Sequence, residues 1–229
     1  MLSKLKIALG SVVILACTNT FADTAKQPVN KASAATQEQK KEVTGAVDVK
    51  SVLMAKLDKL CFLTADFSQQ VIDPDGNLLQ QASGALMLSK PNLVRWETTE
   101  PDESLIVSDS ETLWFFDPFI EQVSAYQLQN AIANTPILLL TNQDQALWEN
   151  YTVSQANKNS FLIHANDPNS QVKTLELVFE QDRLAGFVIL DATGQVSKIT
   201  LSQIDLANRP ADKNFKFVVP EGIHLDDQR

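Results

Sequence analysis

The residues that enzymes and nucleic-acid binders depend on are scarce in this chain. Of 229 residues, two are histidine, two are cysteine and seven are glycine. Seven glycines leave little for loops that cradle phosphates, and no GxSxG, HExxH, paired CxxC or glycine-rich phosphate loop occurs. His164 stands inside the apolar stretch "FLIHAND", and His224 beside Asp226 and Asp227 reads as part of a solvated tail rather than a metal site. Asp73 and Asp75, in "DPDG", read as turn formers rather than calcium ligands. No catalytic residue, metal or cofactor is therefore expected. Positive charge is also in the minority. Nineteen lysines and arginines against 28 acids leave a formal charge of -9, which excludes a nucleic-acid partner and loose adhesion to anionic membranes. With one cysteine in the leader and one beyond it, no internal disulfide can form. The fold must be held by its core, and Cys61 reads as a small buried hydrophobe on a helix face.

Long hydrophobic runs are missing too. The run Ile7–Ala16, "IALGSVVILA", is too short for an ordinary membrane anchor. It follows Lys4 and Lys6 and precedes Thr20-Phe21-Ala22, a small-x-small site, so residues 1–22 read as a signal peptide removed after Ala22. The mature chain then has 17 basic and 28 acidic residues, a charge of -11, and is exported. The string "ILAC" around Cys17 partly fits a lipidation box, which leaves open a lipid-anchored chain beginning at Cys17. Residues 23–46 contain no aromatic residue and read as a disordered spacer. The folded domain is expected over 47–229.

What is present is apolar patterning. Residues 47–62 carry Val49, Val52, Leu53, Leu57 and Leu60 on one helical stripe. From Thr64 onward the period is two and turn signals recur roughly every ten residues, through "ADFSQQVI", "GALMLS", "LVRWETT" and "TLWFFD" to "FKFVV". Strands joined by tight turns form an antiparallel meander, and a long meander must curl to bury one face. The class is mainly β: an incomplete, half-open antiparallel barrel with a lid of short α-helices. One helix of the lid is 47–62. The other is the block "NTPILLLTNQD", Asn134–Asp144, where Thr135-Pro136 reads as an N-cap and first helical residue. Ile137 to Leu140 would point almost all around a helix axis, so both sides must meet apolar surface. In "TLWFFDPFIEQV", Trp114 and Phe116 share one strand face and Phe115 takes the other, so one core cannot hold all three.

The segment Lys90–Val123, followed by "NTPILLL" and "VPEGIHLDDQR", resembles the LolA family of periplasmic outer-membrane lipoprotein carriers, from about Val49 to the C-terminus. The resemblance implies an unclosed barrel whose apolar cavity takes the acyl chains of lipoproteins. It implies a monomer in the periplasm of a Gram-negative bacterium. It also implies two partners, an ATP-driven release complex in the inner membrane and a lipoprotein receptor on the outer membrane. An outer-membrane receptor of similar fold, anchored through an acylated Cys17, stays open as the alternative. The expected cavity lining is Phe67, Leu86, Leu88, Val94, Trp96 and Trp114. The expected lid partners are Leu57, Leu138, Leu139 and Leu140. The family usually has arginine before "PNL", as a latch onto the backbone of the covering helices; here that position is Lys90, a flexible point charge in place of a planar fork.

Overall fold

The alternating segments pair into one twelve-stranded sheet in a computed structural model, which describes residues 48–132, 135–142 and 144–229. The leader, the spacer and Val47 lie outside the described residues. The first six strands are β1 (Phe62–Ile72), β2 (Leu78–Ser89), β3 (Leu93–Glu100), β4 (Ser104–Asp109), β5 (Thr112–Asp117) and β6 (Gln122–Gln127). The second six are β7 (Tyr151–Asn157), β8 (Ser160–Ala165), β9 (Val172–Glu180), β10 (Arg183–Asp191), β11 (Val196–Asp205) and β12 (His224–Gln228). The spatial order is β12-β6-β5-β4-β3-β2-β1-β11-β10-β9-β8-β7. Successive strands are antiparallel neighbours with two exceptions, β11 to β12 at the C-terminus and, more telling, β6 to β7. β6 and β7 follow each other in the chain yet stand near opposite edges of the sheet. The chain between them, 128–150, therefore crosses the open side.

Two glycines mark where the sheet bends. A Cβ at Gly84 would lie 1.9 Å from the Glu97 carbonyl oxygen, and one at Gly186 would lie 2.4 Å from that of Ile199. The register shifts beside both, between Ser83 and Gly84 and between Leu184 and Gly186. Only a residue without a side chain lets the neighbouring backbone approach so closely. The turn at Asp73 forms as read: its carboxylate accepts from the backbone and side-chain amides of Asn77, at 2.8 and 2.9 Å, and Gly76 takes φ 88°.

Helix α1 runs Val49–Lys59, shorter than the expected 47–62. The Leu60 amide donates to the Leu57 carbonyl (2.9 Å), and Phe62 already belongs to β1. Cys61 lies in the bend between them and is exposed, not buried on a helix face. The C-terminus also differs from expectation. "FKFVV" forms no ladder. The preceding 3-10 turn, Asp212–Phe215, buries Phe215, and Phe217 stacks on Trp114 and Phe116 with centroids 5.6 and 5.8 Å away. The expected solvated tail at His224 to Asp227 is β12, parallel to β6, because the free edge of β6 offers unpaired backbone groups. Val107, Val123 and Ala125, opposite Trp114 and Phe116 in the ladders, are buried on the outer face of the sheet.

Candidate functional site

The concave face gathers the main apolar cluster. Leu63, Ala65 and Phe67 of β1, Leu86 and Leu88 of β2 and Val94 of β3 are all buried in it. Phe67 meets Trp96 at 4.6 Å, and Trp96 meets Phe187 of β10 edge-on at 5.8 Å, so an aromatic band runs across the sheet. Five of the six expected lining residues thus come together. The sixth, Trp114, does not. It lies on the outer face, beneath Phe217 and the Arg229 guanidinium (5.2 Å), with its indole N–H donating to Asp109 at 3.1 Å. Strand parity explains this: Leu113 and Phe115 take the concave side, and the tail gives β5 a second apolar face. The expectation missed the lining from the second half of the sheet, including Phe161, Leu175, Leu177 and Phe187. The alternation in "VKTLELVFE" and "LAGFVILD" carried that signal.

The crossing chain covers this face with three short turns: α2 (Leu128–Ala131), a 3-10 helix (Pro136–Leu140) and α3 (Gln145–Trp148). The aliphatic block is a 3-10 helix, not an α-helix, and the Thr135 side chain makes no capping bond. At three residues per turn, four consecutive aliphatic side chains point in every direction around the axis. Every direction is nonetheless apolar: Ile137, Leu138, Leu139 and Leu140 are 5, 0, 1 and 1 % exposed. The segment is a plug: all four residues belong to the one apolar cluster that also holds the sheet lining. α1 joins it by burying Leu53 and Leu57, while the Lys50 ammonium donates to the Trp148 carbonyl at 2.6 Å. At its other end, the Lys56 and Lys59 ammonium groups pair with Asp182 in the β9–β10 turn, at 2.7 and 3.1 Å. Those two bonds hold the Asp182 carboxyl below its ordinary value, Lys56 more than Lys59. Beside this clamp a groove of about 810 Å³ opens between α1 and the turn, floored by Leu60, Phe179 and Leu184.

The turn between β2 and β3 holds both parts of the lid. The Lys90 ammonium, on a side chain 9 % exposed, donates to the Leu57 carbonyl of α1 at 2.6 Å. Asp58, 3.9 Å away, is largely exposed and contributes little. Burial pushes the Lys90 ammonium below its ordinary value, against the opposing pull of Asp58. Two residues on, the Asn92 amide donates to the Thr141 carbonyl (3.3 Å), and its side-chain oxygen accepts from Asn142 (3.1 Å). Asn92 takes the left-handed conformation, φ 58°, which asparagine tolerates well. Ser108 and Ser110 fix the turn by donating to the Asn92 and Pro91 carbonyls, at 2.6 and 3.0 Å. The role of Asn92 was not anticipated, because side-chain bonds across 50 residues leave no periodic trace.

His164 lies on the face of β8 away from the cluster, 3.3 Å from the hydroxyls of Ser154 and Thr174. No carboxylate is among its hydrogen-bond partners in the described residues. Among those residues, no group of three or more potential metal ligands gathers.

The family described as outer membrane lipoprotein carrier protein LolA matches residues 58–218. A relative named outer-membrane lipoprotein carrier protein, from Aeromonas salmonicida, is 37% identical over 183 residues, covering 80% of this chain and 90% of its own. One of the same name from Pasteurella multocida is 40% identical over 184 residues, covering 80% and 88%. A solved LolA superfamily structure from Nitrosomonas europaea shares 16% identity at a TM-score of 0.47, covering 75% of this chain and 99% of that one. With the family matched from β1 through β11 and across the crossing chain, the chain belongs to the LolA family.

Proposed function

We propose that this protein carries acylated lipoproteins through the periplasm, holding their acyl chains where the aliphatic plug now sits. The observation that carries the reading is a four-residue aliphatic plug buried on all sides against a concave sheet that its own ring of strands does not close. An acyl chain cannot cross water unaided, since each exposed methylene costs about 0.8 kcal/mol. A chain of about a dozen methylenes is then worth roughly 10 kcal/mol in gross terms. The four plug side chains are worth about 1.5–3 kcal/mol each, a similar total. A single acyl chain and the plug are therefore near-equal competitors for one apolar surface. That balance suits a carrier, which must release what it binds, and it keeps the empty cavity from lying open to aggregation.

In this reading Phe67, Leu86, Leu88, Val94 and Trp96 line the cavity. Leu57 and Leu138 to Leu140 are the lid, and Lys90 is its latch. The chain has no nucleotide motif, so the energy of loading comes from a partner, an ATP-driven release complex of the inner membrane. A receptor on the outer membrane takes the cargo. Residues 1–22 act as the export signal. The protein works as a non-catalytic chaperone.

The test is to purify the protein from the periplasm and identify what accompanies it. Acylated lipoproteins should co-purify with the wild type. A preparation free of acylated polypeptides would contradict the reading. Mass spectrometry of the mature N-terminus then separates the soluble carrier, beginning at Asp23, from a receptor anchored through an acylated Cys17.

A further inference from the structure

Three buried side-chain polar atoms find no hydrogen-bond partner among the described residues: Ser89 Oγ, Ser160 Oγ and Trp148 Nε1. The two serines follow and precede core residues, Leu88 and Phe161, so strand alternation turns them to the other face. Trp148 is different. It is 1 % exposed and belongs to the apolar cluster from its place in α3, a turn of the lid itself. It ends α3, where the crossing chain reaches the β7 edge, and its ring lies 6.3 Å from that of Tyr151 on β7. The Asp144 carboxylate caps α3 by accepting from the Ala146 amide (2.9 Å), and Lys50 holds the Trp148 carbonyl. The residue is thus held at its carbonyl and through the cap of its helix, with its one side-chain polar atom buried and unpartnered. An indole N–H is a donor only, and a buried one nearly always has an acceptor. Left alone it forfeits its hydration without return.

The identity of the acceptor follows from the cargo, so this inference rests on the carrier reading. An acyl chain is hydrocarbon except at its head, where a carbonyl joins it to the rest of the lipid. A carbonyl oxygen accepts and does not donate, the complement of the indole. We propose that Trp148 recognises the ester carbonyl of an incoming acyl chain through its Nε1–H. The bond is absent in the closed protein and forms only with cargo, so it adds to cargo binding without stabilising the plug. It also separates acyl chains from alkyl chains of equal apolar area.

Two probes test this: a lipopeptide with two ester-linked palmitoyl chains, and the same peptide with two ether-linked hexadecyl chains. Affinities are measured for the full mature protein and for Trp148→Phe, which keeps an aromatic ring and loses the N–H. The wild type should prefer the ester probe by about fivefold to tenfold, the worth of one hydrogen bond. The variant should bind both probes alike, with its affinity for the ether probe within about twofold of the wild type, as expected for the loss of one bond only. An ester preference that survives in the variant overturns the proposal. So does an equal loss for both probes, which would make Trp148 a packing residue. Equal binding of both probes by the wild type, a comparison needing no variant, overturns it while leaving the carrier reading intact. Failure of the wild type to bind either probe removes the carrier reading, and this proposal with it.

Discussion

Lys90 and Asn92 stand two residues apart and hold different parts of the lid. The lysine grips α1 through a charged, largely buried bond, and the asparagine grips the chain just after the plug through neutral ones. Charged bonds of this kind contribute about 1.5–3 kcal/mol and neutral ones about 0.5–1.5. Asn92→Ala should therefore loosen the plug by about 1 kcal/mol. Hydrogen exchange at residues 138–142 should quicken while that of α1 stays unchanged; equal acceleration in both would show that the two arms are not separate. Lys90 also gives the closed form a pH signature. Its pKa lies below the ordinary 10.5, so between its folded value and 10.5 the unfolded chain holds more protons than the folded one. Stability contributed at this site accordingly rises with pH over that window. Arginine stays charged throughout and gains nothing. The melting temperature of the wild type relative to Lys90→Arg should climb as pH rises towards 10.5. A flat difference would show that burial does not govern this lysine.

At the level of elements, the bends and the plug carry the shape of the site. Gly84→Ala places a Cβ against the Glu97 carbonyl at a separation no packing allows. The sheet must flatten there, and the variant should melt well below the wild type or fail to accumulate. Leu139→Asp acts on the plug instead. A carboxylate cannot stay in a site 1 % exposed, so the plug should be expelled while far-UV circular dichroism keeps the strand signal. Loss of that signal would mean that the plug is needed to fold the sheet. Most of these elements were legible in the sequence. Period-two alternation marks the strands from β1 to β11, and a block such as "PILLL" can only be buried on both sides. Other features left weaker traces. Trp114 sits in a strand apolar at both parities, and only the tail packing outside it shows which face is the cavity. α2 and α3 are four residues each, too short for a helical period to register. β12 is an acidic pentapeptide whose strand state comes from the β6 edge it joins, not from its own residues.

The whole molecule is an open sheet made whole by its own crossing chain. The lid covers the concave face, and the C-terminal tail covers the outer face around β5, where Phe217 packs on Trp114 and Phe116, so the free carrier shows water little of its cavity lining. The plug lies in the crossing chain between β6 and β7 and belongs to no strand, so its departure, which the proposed function requires, breaks no ladder. Capture of cargo then requires the plug to leave. A cross-link between Asn92→Cys and Asn142→Cys, in a Cys61→Ser background, tests that requirement directly, because the two asparagine side chains already touch at 3.1 Å. The oxidised protein should fail to bind an acylated lipopeptide, and reduction should restore binding to the wild-type level. Binding of equal strength by the oxidised protein would contradict the account, since the tails would then have found a site that the plug does not occupy.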